Sequence, residues 1–473
     1  MKNIFVFCFL SFLFSEGISQ QVWTLEKCIL YAQENNIRLK QQELDTRFMK
    51  NNLFKSKMDL LPDINASASQ NYSYGRALDE TTYEFTENQE VASTNVNLNS
   101  RVTLFNGLQQ YNTIRQEEFN FLSGLQRLEQ SKNNLSLNIA SAYLQILFST
   151  ELLEVAENQL VVTNLQVDRT SKLVEAGSLP RGSLYEIQSQ AAAEEVQIIN
   201  ARNQLEIDYL SLTQLLDLDT LDSFAIYMPE FGDIVDDEII YTVREIYETA
   251  LTVLPEIKAA EYNLMSAEKG LVIARGGRYP SLYMGVSFGT GYSDIRQRVI
   301  STEEITLPVG QTINGVPVTT TSQVPVFDNY PFTDQFSDNA STVISFSLNV
   351  PILNGWFVNN AVSNSKLNVL NEIYELENTE KDLYKEIQQA YADALGARKK
   401  YVASTKALQA MRESFNYTEQ KYEVGLVNGF DYNAAKNQLT RTESDLLQAK
   451  YDYIFRIKIL DYYRGIPLSL EEI

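Results

Sequence analysis

Histidine is absent from all 473 residues, and only two cysteines, Cys8 and Cys28, occur. Serine-histidine catalysis and histidine-ligated metal sites are thereby excluded. Basic residues are scarce as well: 39 Lys and Arg stand against 61 Asp and Glu, a net charge of −22. A nucleic-acid partner, which needs a basic face for its phosphates, is therefore not expected. No proline interrupts Leu108 to Ala176. The one early apolar run, Ile4 to Phe14, falls short of the ~20 residues that span a bilayer as a helix.

That run follows Lys2 and precedes Glu16-Gly17-Ile18-Ser19, so residues 1–19 read as a secretory signal peptide cleaved after Ser19. Cys8 would leave with it and Cys28 would remain alone, which allows no intramolecular disulfide. Stability must then come from packing or assembly.

What is present is a duplication. Trp23-Thr24-Leu25, Ala32, Leu39 and Pro62 recur as Tyr241-Thr242-Val243, Ala250, Ile257 and Pro280, a shift of 218 (280 − 62). Gly107, Tyr143 and Gly177 recur as Gly355, Tyr391 and Gly425, a shift of 248 (355 − 107). The second copy thus carries 30 additional residues (248 − 218) between its strands, and a repeat of this size outranks any local motif.

Each copy contains two segments of period two. Val96, Leu98, Val102 and Leu104 share one face, and Asn95, Asn97, Asn99, Arg101 and Thr103 share the other. Ile64 to Tyr74, Leu282 to Tyr292 and Val343 to Ile352 alternate in the same way. Apolar residues on one face with small polar ones on the other suit a strand between lipid and water, and ~9–11 tilted residues cross a bilayer. Residues 293–340, rich in Thr, Val and Pro, read as an extracellular loop with a turn at Asn314-Gly315. After the junctions Phe105-Asn106-Gly107 and Leu353-Asn354-Gly355 come long helical stretches, about Gly107 to Ala176 and Gly355 to Val424. At 1.5 Å per residue each would be on the order of 100 Å long. Steps of three and four, as in Leu153, Ala156, Leu160, Thr163 and Val167, give coiled-coil spacing. Both stretches end at glycine turns, Gly177-Ser178-Leu179 and Gly425-Leu426-Val427, after which Ser183 and Asp431 are placed to cap the return helices.

In order, duplication and spacing, these elements resemble the TolC family of outer-membrane efflux ducts across nearly the whole mature chain. The resemblance implies a mainly α protein with a membrane β-barrel. Three tandem-repeat protomers would each contribute four strands to a 12-stranded barrel, and their long helices would form a periplasmic α-barrel. It places the protein in the outer membrane of a Gram-negative bacterium, as the passive duct of a tripartite efflux or type I secretion system. Its partners would be two further copies, outer-membrane lipid and a periplasmic adaptor that links it to an inner-membrane pump of RND or ABC type. No cofactor or metal is implied. By resemblance Gly177, Ser178, Leu179, Gly425, Leu426 and Val427 dock the adaptor, while Asp431 and Tyr422 match a constricting aspartate and a tethering tyrosine. The family's second aspartate is Ala434 here, and Ser183 is the first-copy counterpart of Asp431, so any acidic ring is thinner than the family pattern.

The implied segments are the signal peptide, 1–19; N-terminal helices, 20–61; a first membrane hairpin, 62–106; and a long helix, tip turn and return helix, 107–217. The second repeat follows as a linker and helices, 218–279, a hairpin with the long loop, 280–354, and the second long helix, turn and return, 355–473. Physics alone points the same way, because four strands cannot close a barrel and an open edge does not survive in lipid. A general porin, or a coiled-coil stalk or adhesin without pump partners, would share part of this pattern. An enzyme built on Glu194 and Glu195 is disfavoured, since adjacent helical residues diverge by ~100° and form no dyad; both are expected on a solvated face.

Overall fold

The computed structural model describes residues 22–76, 85, 89–218, 224–229 and 241–470. The expected signal peptide lies outside them. In chain order the first repeat comprises β1 (Val22–Trp23), α1 (Leu25–Asn35), α2 (Ile37–Met58), β2 (Asp63–Gly75), β3 (Gln89–Asn106), α3 (Gln109–Glu175), α4 (Arg181–Leu215) and β4 (Ala225–Ile226). The second comprises α5 (Val243–Val253), α6 (Pro255–Gly276), β5 (Ser281–Ser293), β6 (Gln297–Gln311), β7 (Pro317–Asn329), α7 (Phe332–Asp338), β8 (Ser341–Asn349), α8 (Phe357–Glu423) and α9 (Gly429–Tyr463). The chain divides into two compact units, one of residues 1–50, 119–264 and 371–473, the other of 51–118 and 265–370.

The first unit is helical and holds two hydrophobic cores that the duplication relates. One gathers Cys28, Ala32, Leu39, Leu135, Ile139, Ile146 and Leu212; the other gathers Ile246, Ala250, Ile257, Leu383, Ile387, Ala394 and Leu460. Each pair differs by 218 (246 − 28) or 248 (383 − 135), so the same positions seed the same packing twice. A fully buried Leu or Ile contributes on the order of 1.5–3 kcal/mol. The helices that enter these cores are capped alike: Thr24 accepts from the Lys27 amide, and Thr242 forms a capping box with Glu245. Beside the first core, β1 pairs with β4 in parallel, and the buried Tyr143 hydroxyl donates to the Trp23 carbonyl at 3.1 Å.

The second unit is built on an antiparallel sheet of order β2-β3-β5-β8. Asn65, Ser67 and Ser69 pair with Asn99, Asn97 and Asn95, which in turn pair with Ser287, Gly289 and Gly291, so one face is lined by amides, hydroxyls and glycines. The opposite face presents Ile64, Leu98, Phe288, Ile344, Phe346 and Leu348, all exposed. The glycines leave room for these polar side chains: a Cβ at Gly291 would lie 2.7 Å from Asn95 Oδ1, and one at Gly285 would lie 2.8 Å from Ser345 Oγ, so those side chains would have to shift.

Two expectations change. β8 ends at Asn349, leaving Val350 and Ile352 outside the strand, because Pro351 has no N–H to donate. The expected loop 293–340 is a two-stranded ribbon, β6 with β7, followed by the short helix α7. Its turn falls where expected: Gly315 has φ +74°, and the Thr312 amide bonds the Val316 carbonyl at 2.8 Å.

Candidate duct wall, junctions and tip

Both strand-to-helix junctions use two consecutive residues at positive φ, Gly107 with Leu108 and Gly355 with Trp356. That reversal lets Leu108 and Trp356 offer their carbonyls to Asn112 and Asn360, at 3.1 and 2.9 Å, in the first turns of α3 and α8. The two junctions are not identical. β3 runs through Phe105 and Asn106 after a bulge between Thr103 and Phe105, whereas the triplet Leu353-Asn354-Gly355 lies beyond the end of β8. A Cβ at Gly107 would come within 2.4 Å of the Gly276 carbonyl, so close approach and left-handed backbone both demand glycine there. At Gly355 the space is open and only the φ of +59° makes the demand.

At the tip, α3 and α8 end in Schellman turns. Gly177 and Gly425 sit at φ +74° and +76°, and the amides of Ser178 and Leu426 reach back to the carbonyls of Leu173 and Lys421, each at 2.8 Å. The return helices are not capped as expected. Pro180 precedes α4 and Asn428 caps α9, its Oδ1 accepting from the Asp431 amide at 2.9 Å; Ser183 and Asp431 instead sit inside the first turns. The Asn428 side chain takes an orphan amide of α9, whereas Pro180 holds the extended N-cap position of α4 and makes no side-chain cap there. Asp431 is left exposed, with its carboxylate near the positive end of the helix dipole.

The two turns flank a cleft of about 680 Å³ lined by Arg169, Leu179, Tyr422, Leu426 and Val427 among others. Leu179 and Val427 are half-buried in it, while Leu426 and nearby Val424 are 76 and 70 % exposed. Tyr422 stacks on Tyr432, ring centroids 4.5 Å apart, and so ties the end of α8 to α9 of its own repeat. Tyr432 is buried beneath it, and desolvation pushes its hydroxyl up to about 12.

A buried polar layer near this tip departs from the expectation for Glu194. Glu194 is 1 % exposed, not solvated, while Glu195 is exposed as expected. The Glu194 carboxylate meets Lys436 at 3.5 Å and accepts from Gln159 at 3.1 Å, from Gln190 at 2.9 Å and from Thr163. Lys436 also donates to the Gln159 carbonyl at 2.8 Å. Burial pulls the Lys436 ammonium below its ordinary range, and Glu194 pulls it partly back. Gln159, Thr163 and Thr170 are the buried seam positions of α3 here, so the seam towards the tip is polar rather than apolar. Thr163 within an otherwise apolar heptad was the available signal.

The family model described as outer membrane efflux protein matches residues 29–217 and 246–456, one block in each repeat. The chain belongs to that family. It is similar to the outer membrane efflux protein BepC of Brucella suis, at 20 % identity over 439 residues, covering 91 % of this chain and 83 % of that one. It is likewise similar to TolC of Escherichia coli, at 20 % identity over 88 % of this chain and 77 % of that one. The Campylobacter jejuni CmeC outer membrane channel shares the fold with a TM-score of 0.73 at 16 % identity, covering 95 % of this chain and 87 % of that one. As a member of the outer membrane efflux protein family, the chain is a TolC-like channel component of the Gram-negative outer membrane and not an enzyme.

Proposed function

We propose that three copies of this chain close one 12-stranded barrel, line a periplasmic helical tunnel, and pass cargo received from a periplasmic adaptor and an inner-membrane pump. The observation that carries the reading is the sheet itself. Among the described residues its outer strands β2 and β8 are each paired on one side only, and its apolar face is bare. With order β2-β3-β5-β8 and every pairing antiparallel, β8 of one copy meets β2 of the next antiparallel as well, so copies extend the sheet without a break in pattern. Closure then removes every edge from lipid. The amide- and glycine-lined face would border the water-filled path, and the apolar face the lipid.

Gly177, Ser178, Leu179, Gly425, Leu426 and Val427 form the adaptor-docking surface in this reading. Their support is the cleft between the two turns and the exposure of Leu426, an apolar side chain at a place where capping alone asks only for glycine. Asp431 and Tyr422 form the constriction, with the carboxylate exposed beside the turn and the tyrosine holding the end of α8. Gly425→Trp tests the docking assignment. A Cβ there meets nothing within 4 Å, so the added side chain starts into open space, and the φ of +76° adds local strain on the order of 1–2 kcal/mol. The expected result is an intact three-copy particle that no longer exports; full export with that substitution removes the assignment.

A further inference from the structure

We propose that the ribbon of β6 and β7 is a contact between copies of this chain, each turning the ribbon's apolar face inward against those of its neighbours beyond the barrel rim. The inference rests on the shared barrel proposed above.

The ribbon is anchored. Buried Gln335 of α7 donates to the carbonyls of Ser293 and Tyr330, at 2.9 and 2.7 Å, and accepts from the Ser293 amide at 3.1 Å. Asn339 donates to the Gly291 carbonyl at 2.6 Å, Arg298 pairs with Asp334 at 2.9 Å, and Phe332 packs on Tyr292 with centroids 5.1 Å apart. These bonds fix the root of the ribbon to the end of β5 away from the helix junctions.

Its two faces differ. The register places Ile305, Leu307, Val318, Val324 and Val326 on one face, where Glu303 stands opposite Val324 at the root end, and Thr302, Thr306, Thr319, Thr321 and Gln323 on the other, which carries Val299 and Phe327 near the root. Val318, Val324 and Leu307 are exposed on the apolar side, and no charged residue occurs from Ile305 to Phe327. An apolar sheet face left in water is a site awaiting an occupant. The edges, by contrast, are blunted: Pro308, Pro317 and Pro325 offer no N–H, and bulges interrupt β6 between Val299 and Ser301 and between Pro308 and Gly310. Such edges resist strand addition, so the occupant docks on the face.

A second copy is the occupant that fits. From Ile305 to the turn and back to Phe327 the ribbon carries no charge, so beyond Glu303 at its root the face provides nothing for a charged partner to recognise, whereas identical apolar faces around a rotation axis complement one another. The ribbon is also spliced between β5 and β8, and β8 is the strand that must meet the neighbouring copy. Joining the barrel therefore holds the ribbons at an effective concentration on the order of mM.

Disulfide trapping on the full-length protein in outer membranes tests this, with the unsubstituted chain as background, since Cys28 is buried. Val324→Cys on the apolar face is expected to give a covalent dimer on oxidation, and Gln323→Cys on the opposite face none. If the three-copy particle persists and Val324→Cys gives no dimer, the inference fails while the barrel reading stands. Equal dimer from both variants, labelling of Val324→Cys by a lipid-soluble maleimide in place of dimer, or a disulfide to a different protein also overturns it. A single-copy particle removes both readings together.

Discussion

Buried polarity sets the behaviour of single residues in the helical unit. Lys436 and Glu194 pair at a site almost closed to solvent, so removing one partner strands the other. Lys436→Met alone is expected to destabilise by about 3–5 kcal/mol, and Lys436→Met with Glu194→Gln to recover most of that. Thermal unfolding of the three proteins checks it; additive losses would contradict the pairing. Cys28 gives a pH prediction. Desolvation pushes its thiol from 9.0 to about 12, so between those values the unfolded chain releases a proton that the folded chain retains. Stability should fall as pH rises through that window, by at most ~1.4 kcal/mol per pH unit from this group. A Cys28→Ala variant that loses stability just as steeply would assign the effect elsewhere. Glu194 was not legible in the sequence because burial of a charge depends on which helices meet around it. Lys436, its partner, lies 242 residues away (436 − 194), and no local pattern links them.

At the scale of elements most of the fold was legible. Period two gave the four sheet strands, uninterrupted period three-to-four gave α3 and α8, and the offsets of 218 and 248 gave the duplication that the paired cores display. The ribbon of β6 and β7 was not, since its prolines and threonines read as loop and its pairing is decided by bulges that no periodicity announces. Nor were the caps: Ser183 and Asp431 have suitable chemistry, but Pro180 and Asn428 stand at the position where the backbone turns. The two faces of the sheet make a direct comparison possible. Leu98→Arg places a charge on the apolar face and is expected to cost on the order of 2–4 kcal/mol, depleting assembled protein from the outer membrane. Asn97→Arg, one residue away on the polar face, should assemble and shift ion selectivity toward anions. Both are read from membrane yield and from the reversal potential across a salt gradient. Equal depletion by both would contradict the assignment of faces.

Assembly is the scale that one chain states least directly. The sequence carries it only as a shortage, four strands where closure needs more, and the sheet carries it as two edges, β2 and β8, that run in opposite senses and are unpaired among the described residues. No partner side chain is required to see the need; the backbone groups along those edges suffice, because each would otherwise lie unbonded in hydrocarbon. Light scattering on the particle extracted from outer membranes in mild detergent measures the outcome most directly. The account predicts a protein mass of three chains in a particle that conducts ions when returned to a bilayer. A conducting or non-conducting particle with the protein mass of one chain would contradict it.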